Sequence, residues 1–193
     1  MKIIKNLLAL VGLLALLGGA VGYYQWHALW QGFDAKAPGV YWEMAKTLFA
    51  TKNSAAATVW KVPVAPGVSA DAVIDSIRLA ANDLNFKNVG ELPLSDQVTA
   101  LRSGPAYRTV KIVMLCNATT AANMLDYSDA FSAYLPCRVT LVEDKQGQLW
   151  LYSLNMDMMI YGGATLPADL LAEAQQVKSM MLEIMKRGAA GEL

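Results

Sequence analysis

Histidine occurs once in this 193-residue chain, at His27, and cysteine twice, at Cys116 and Cys137. With its one imidazole in an apolar N-terminal stretch, the rest of the chain has no His-based triad and no histidine zinc site. No Cys-x-x-Cys occurs, so thioredoxin-like chemistry has no motif. Neither the P-loop nor the dinucleotide fingerprint surrounds Gly162 and Gly163, which read as a two-glycine turn. Asp126, Asp129, Glu143, Asp144 and Asp157 stand at no spacing that joins two of them for acid-base work, and Asp144 reads as a turn residue. These absences weigh against an enzyme. Net charge is lacking too: the formal charge is zero, and without Lys2 and Lys5 there are 14 basic residues against 16 acidic ones. Nucleic acid is therefore not an expected partner.

The longest gap is in charge itself. No Asp, Glu, Lys or Arg occurs in the 28 residues between Lys5 and Asp34. As a helix, such a run reaches roughly 42 Å at about 1.5 Å per residue, enough for a hydrocarbon core of about 30 Å. Lys2 and Lys5 precede it, and Tyr23, Tyr24, Trp26 and Trp30 close it with rings that suit a membrane-water boundary. The expectation is a single-pass anchor in the inner (cytoplasmic) membrane, positive end inside, with the C-terminal domain facing the periplasm or cell exterior. The competing reading is a cleaved signal peptide, with residues 7–17 as its apolar region and Ala20, Val21 and Gly22 as small residues near a cleavage point. The uncharged aromatic run beyond Gly22 favours the anchor, and both readings export the domain.

The pattern divides the chain into an anchor with an interfacial helix (1–33), a connector (34–56) and an α+β domain (57–193). In the connector, residues 40–49 read as a short amphipathic helix after a Pro38-Gly39 turn, packed on the domain rather than lying on the membrane. The expected strands are 58–64, 86–94, 108–116, 137–143 and 149–156, the last two around a turn at Asp144, Lys145, Gln146 and Gly147. In 108–116 the alternation places Val110, Ile112, Met114 and Cys116 on one face, and in 149–156 it places Trp150, Tyr152, Leu154 and Met156 together. Ser69 caps a helix with Val73, Ile74, Ile77, Ala80 and Ala81 at helical spacing, and Asn117 caps another. The final helix starts at Pro167, carries an inward stripe of Leu170, Ala174, Val177, Met181 and Ile184, and is expected to stop at Gly188. The fold class is α+β: a central, mainly antiparallel sheet packed by helices and preceded by one transmembrane helix.

Sulfur is the element in surplus. Cys116 closes one strand and Cys137 opens another, so antiparallel pairing brings both to the same end of the sheet. A structural disulfide, two inert thiols and a redox or metal pair all remain open. Ten methionines include Met156, Met158 and Met159 in one segment and Met180, Met181 and Met185 on the last helix. Thioether and thiolate ligands suit Cu(I), which makes Cys116, Cys137, Met156, Met158 and Met159 candidate metal ligands. Packing is the favoured role of the methionines.

Residues 110–116 followed by Asn117, then Leu135, Pro136, Cys137, Arg138 and Val139, then an acidic turn with Gly147, resemble the bacterial and archaeal domain of unknown function numbered 302 (DUF302). The stretch 155–163, the Leu166-Pro167 helix start and the closing residues 187–192 are similar to longer members of that family. The resemblance runs from Ala57 to the C-terminus, and Leu-Pro-Cys-Arg is its most specific part. It implies a compact α+β fold with a central antiparallel sheet and a tendency to form homodimers, and it implies no activity. Cys116 and Cys137 fall at its motif positions.

The leading expectation is a membrane-anchored, non-catalytic exported domain that binds a partner or small ligand, with Cys116, Asn117, Cys137 and Arg138 as candidate site. The alternatives are a thiol-redox or Cu(I)-handling protein using the cysteine pair, and an accessory subunit of a membrane complex contacting other spanning helices.

Overall fold

The computed structural model describes residues 2–102 and 104–192. Helix α1, Lys2–Trp30, follows from the Leu- and Ala-rich run, whose side chains favour helix and include no proline. It is long and apolar enough to cross a membrane, with a mean hydropathy of 2.0 over its best 18 residues, and it buries none of its own residues. Helix α2, Ala37–Thr51, carries a proline in its first turn, where a missing N–H costs nothing, and ends at Lys52 in the left-handed conformation. It is longer at both ends than the connector helix expected from sequence.

Five strands follow, interleaved with helices: β1 Val59–Pro63, α3 Ala70–Asp83, β2 Lys87–Leu92, α4 Leu94–Arg102, β3 Val110–Cys116, α5 Ala118–Tyr127, β4 Cys137–Glu143, β5 Leu149–Leu154, α6 Asp157–Tyr161 and α7 Ala168–Ala190. The sheet order is β1-β5-β4-β3-β2, and every neighbouring pair is antiparallel. The α+β expectation holds. Ser69 Oγ accepts the Ala72 N–H and Asn117 Oδ1 accepts the Thr120 N–H, so both caps act as their sequence positions imply.

Helices α3 and α7 cover one face of the sheet and form the core with Val113, Leu115, Val139, Leu141 and Leu151, all fully buried. The helix-covered face of β3 is that of Lys111, Val113 and Leu115, and the residues grouped from sequence share the opposite face. Ile112 and Met114 lie on the half-exposed side, as do Trp150 and Tyr152 of β5, while Lys111 begins the buried face and reaches Asp71 of α3 at 2.6 Å. Both faces of β3 are apolar, so alternation alone does not choose between them. The inward stripe of α7 is as expected, and Met180 and Met185 join it in the core.

The end of α7 also differs. The helix runs past Gly188 to Ala190, and Gly191, at φ +68, makes the left-handed cap. Gly188 serves close packing: a Cβ there would lie 2.6 Å from Ile77 Cγ1 and 3.3 Å from Leu151 Cδ1. Ser76, fully buried, donates from Oγ to the Arg187 carbonyl at 2.9 Å and pins the same crossing.

Candidate functional site

The β3-β4 register pairs Leu115 with Cys137, which brings Cys116 and Cys137 to one end of the sheet. Both are free thiols and half-buried. Helix α5 leaves this end under its Asn117 cap, and a 3₁₀ segment, Asp129–Tyr134, folds back across it. Tyr127, Phe131 and Tyr134 form a ladder with ring centroids 6.1 and 6.3 Å apart. The chain then enters β4 through a cis Leu135-Pro136 bond.

These elements enclose a slot of about 40 Å³. Cys116, Asn117, Cys137, Met156 and Met159 line it, so five of the candidate residues converge. Phe131, Tyr134, Thr120, Ala121 and Met124 are also among its lining residues and were not singled out from sequence. The aromatic spacing at 127, 131 and 134 was the available signal. The slot holds less than a third of the ~150 Å³ that an apolar cavity needs to take up benzene. It suits a single aliphatic group or a bare ion.

The remaining candidates lie elsewhere. Arg138 is exposed and borders an adjoining depression of about 340 Å³ that shares Tyr134, Cys137, Met156 and Met159 with the slot. Met158 points to a groove between α2 and β1 and is 39% exposed. Met180, Met181 and Met185 are packed in the core. Asn117 lines the slot, but its side-chain oxygen is already engaged as the cap of α5.

Burial raises the Cys137 thiol to about 11, and the neighbouring Cys116 adds to the rise while Arg138 opposes it. At neutral pH Cys137 is therefore a neutral, weakly nucleophilic thiol. Three of the five carboxylates weighed for acid-base work, Glu143, Asp144 and Asp157, are engaged by structure. Asp144 Oδ2 accepts the Trp150 indole N–H at 2.8 Å while Oδ1 accepts two turn amides, and the Trp150 bond holds its carboxyl below the usual range. Glu143 accepts the Thr109 N–H, which lowers it likewise. Asp157 pairs with Lys178 of α7. Across the fold, Arg78 forms a closed ion-pair network with Glu91 and Asp75, at 2.6 and 2.7 Å. No group of three or more His, Cys, Asp or Glu side chains is placed to hold a metal ion among the described residues.

A family model described as domain of unknown function DUF302 matches residues 60–188. Among solved structures, the fold is similar to the crystal structure of an uncharacterized conserved protein DUF302 from Bacillus stearothermophilus. The TM-score is 0.54 at 14% identity, with 67% of this chain and 97% of that one covered. No curated protein matches the chain.

Proposed function

The chain belongs to the DUF302 family, and from that premise we propose that it is a membrane-tethered, exported, non-catalytic domain that binds an apolar group in the slot at the cysteine end of its sheet. The observation that carries this reading is the convergence of both thiols, Met156, Met159, Phe131 and Tyr134 on one small space. The tether is supported by α1, which offers a long apolar surface that the domain does not use. The non-catalytic character is supported by Cys137, which stays protonated until the pH approaches 11.

A second reading is favoured by the same slot. Two thiols and two thioethers form a soft donor set, and a space of about 40 Å³ also admits a bare ion. Cys116, Cys137, Met156 and Met159 would hold Cu(I). Binding would displace the thiol protons, so affinity would rise with pH.

One experiment separates the two. The full chain is extracted from membranes in mild detergent without reductant, and its native mass and metal content are measured. The apolar-group reading expects an organic species, at one per chain, that is lost in Ala121→Phe. The Cu(I) reading expects stoichiometric copper that is lost in both Cys116→Ser and Cys137→Ser. A folded wild-type chain carrying neither defeats both. Alkylation adds a check on the site: with its pKa raised from 9.0 to about 11, Cys137 should carry about 100-fold less thiolate at pH 8 than an ordinary thiol. The same shift makes folding stability fall as pH rises from 9 toward 11, because the unfolded thiol ionises first.

A further inference from the structure

Helix α2 has two sides of opposite use. Ala37, Val40, Tyr41 and Met44 face the domain: Ala37 is fully buried, Val40 packs on the core, and Tyr41 Oη donates to the Gly162 carbonyl at 2.8 Å. On the opposite side Trp42 and Phe49, two turns apart, are 64% and 79% exposed, with Lys46 between them. Nothing within the described domain covers these two rings.

Their position relative to α1 is fixed by a short and tied connection. Only residues 31–36 separate the two helices. The Trp30 ring packs on Phe33 at 5.3 Å and on Tyr41 at 5.7 Å, which joins the end of α1 to the first turns of α2. The buried Asp34 donates its N–H to the Gly163 carbonyl at 2.7 Å, and its carboxylate accepts the Lys36 N–H just before α2. Lys36 lies over the Tyr161 ring at 4.4 Å. The outer stripe of α2 thus starts where the aromatic end of α1 stops.

We propose that α2 is an interfacial helix, its Trp42-Phe49 stripe seated in the lipid headgroup layer of the membrane that α1 spans, while its inner side carries the folded domain. The inference rests on the tether reading. Its chemistry is that of a lipid surface: a Trp and a Phe for the acyl boundary and a lysine whose stem lies along it while its ammonium stays in water. The sequence pattern posed packing and membrane contact as alternatives, and the two faces of α2 are suited to one each.

The test uses the full chain in nanodiscs of phosphatidylcholine and phosphatidylglycerol, with hydroxyl-radical footprinting read residue by residue by mass spectrometry. Trp42 and Phe49 should oxidise several-fold more slowly than Tyr127, which is less exposed in the structure at 44%. Double substitution Trp42→Gln and Phe49→Gln should expose Ala45 and Leu48 while Leu13 and Leu14 of α1 stay protected. Oxidation of Trp42 and Phe49 at or above the Tyr127 rate, with Leu13 and Leu14 protected, overturns the interfacial helix and leaves the tether standing. Oxidation of Leu13 and Leu14 as well overturns both.

Discussion

Helices α1 and α7 are the two longest in the molecule, 29 and 23 residues, and they behave in opposite ways. Helix α7 buries nine residues against α3 and the sheet, and α1 buries none. The difference lies in arrangement more than in apolar content. Along α7, Asp169, Glu173, Lys178, Glu183, Lys186 and Arg187 interrupt the apolar positions and leave a stripe. Along α1 the apolar residues run all round, which suits a surrounding solvent of lipid and no single packing face. One helix is written for a partner on one side, and the other for an environment on every side.

Matched substitutions in the two helices sharpen this contrast. Ile184→Ala in α7 removes a fully buried side chain beneath the sheet and should cost about 2–5 kcal/mol. Leu14→Ala in α1 should change domain stability by less than about 0.5 kcal/mol, and chemical denaturation of the full chain in detergent measures both. The next pair uses glycine. Gly188→Ala drives a methyl group toward Ile77 and Leu151 and should destabilise by about 1–3 kcal/mol. Gly18→Ala, with nothing within 4 Å of the new Cβ, should leave the thermal midpoint of the domain unchanged. The smallest loss expected within the domain is Ser76→Ala, which removes the hydrogen bond to the Arg187 carbonyl and should cost about 1 kcal/mol by the same denaturation. An equal response from α1 in either pair would mean that α1 packs on the domain.

Elements marked by several agreeing signals were legible in the sequence. The start of α7, the caps of α3 and α5 and the hairpin turn at Asp144 each combined a cap or turn residue with the right period. The sheet faces were not legible where the code was degenerate. In β3 the alternation separates two apolar faces without saying which one the helices cover, and the covered one includes Lys111, which finds Asp71 of α3. The cysteine end was partly legible: the strand-end positions of the two thiols put them at one end once the strands pair antiparallel, as they do, but the aromatic wall from the 3₁₀ segment needed the tertiary turn. Gly188 read as a stop signal because a terminal glycine usually is one, and only the crossing of α3, α7 and β5 gives it a packing role.

The Gly162-Gly163 turn joins two parts of the molecule that the sequence keeps far apart. Its carbonyls receive Tyr41 and Asp34 from the connection to α1, and the same short segment begins with Met156 and Met159 on the wall of the slot. A side chain at Gly162 would meet the Met158 carbonyl at 2.4 Å, so this joint has no room to be thickened. The segment is thus a joint shared by the stalk and one wall of the slot: the Tyr41 hydroxyl fastens α2 to its glycine end, and Met156 and Met159 at its other end line the slot.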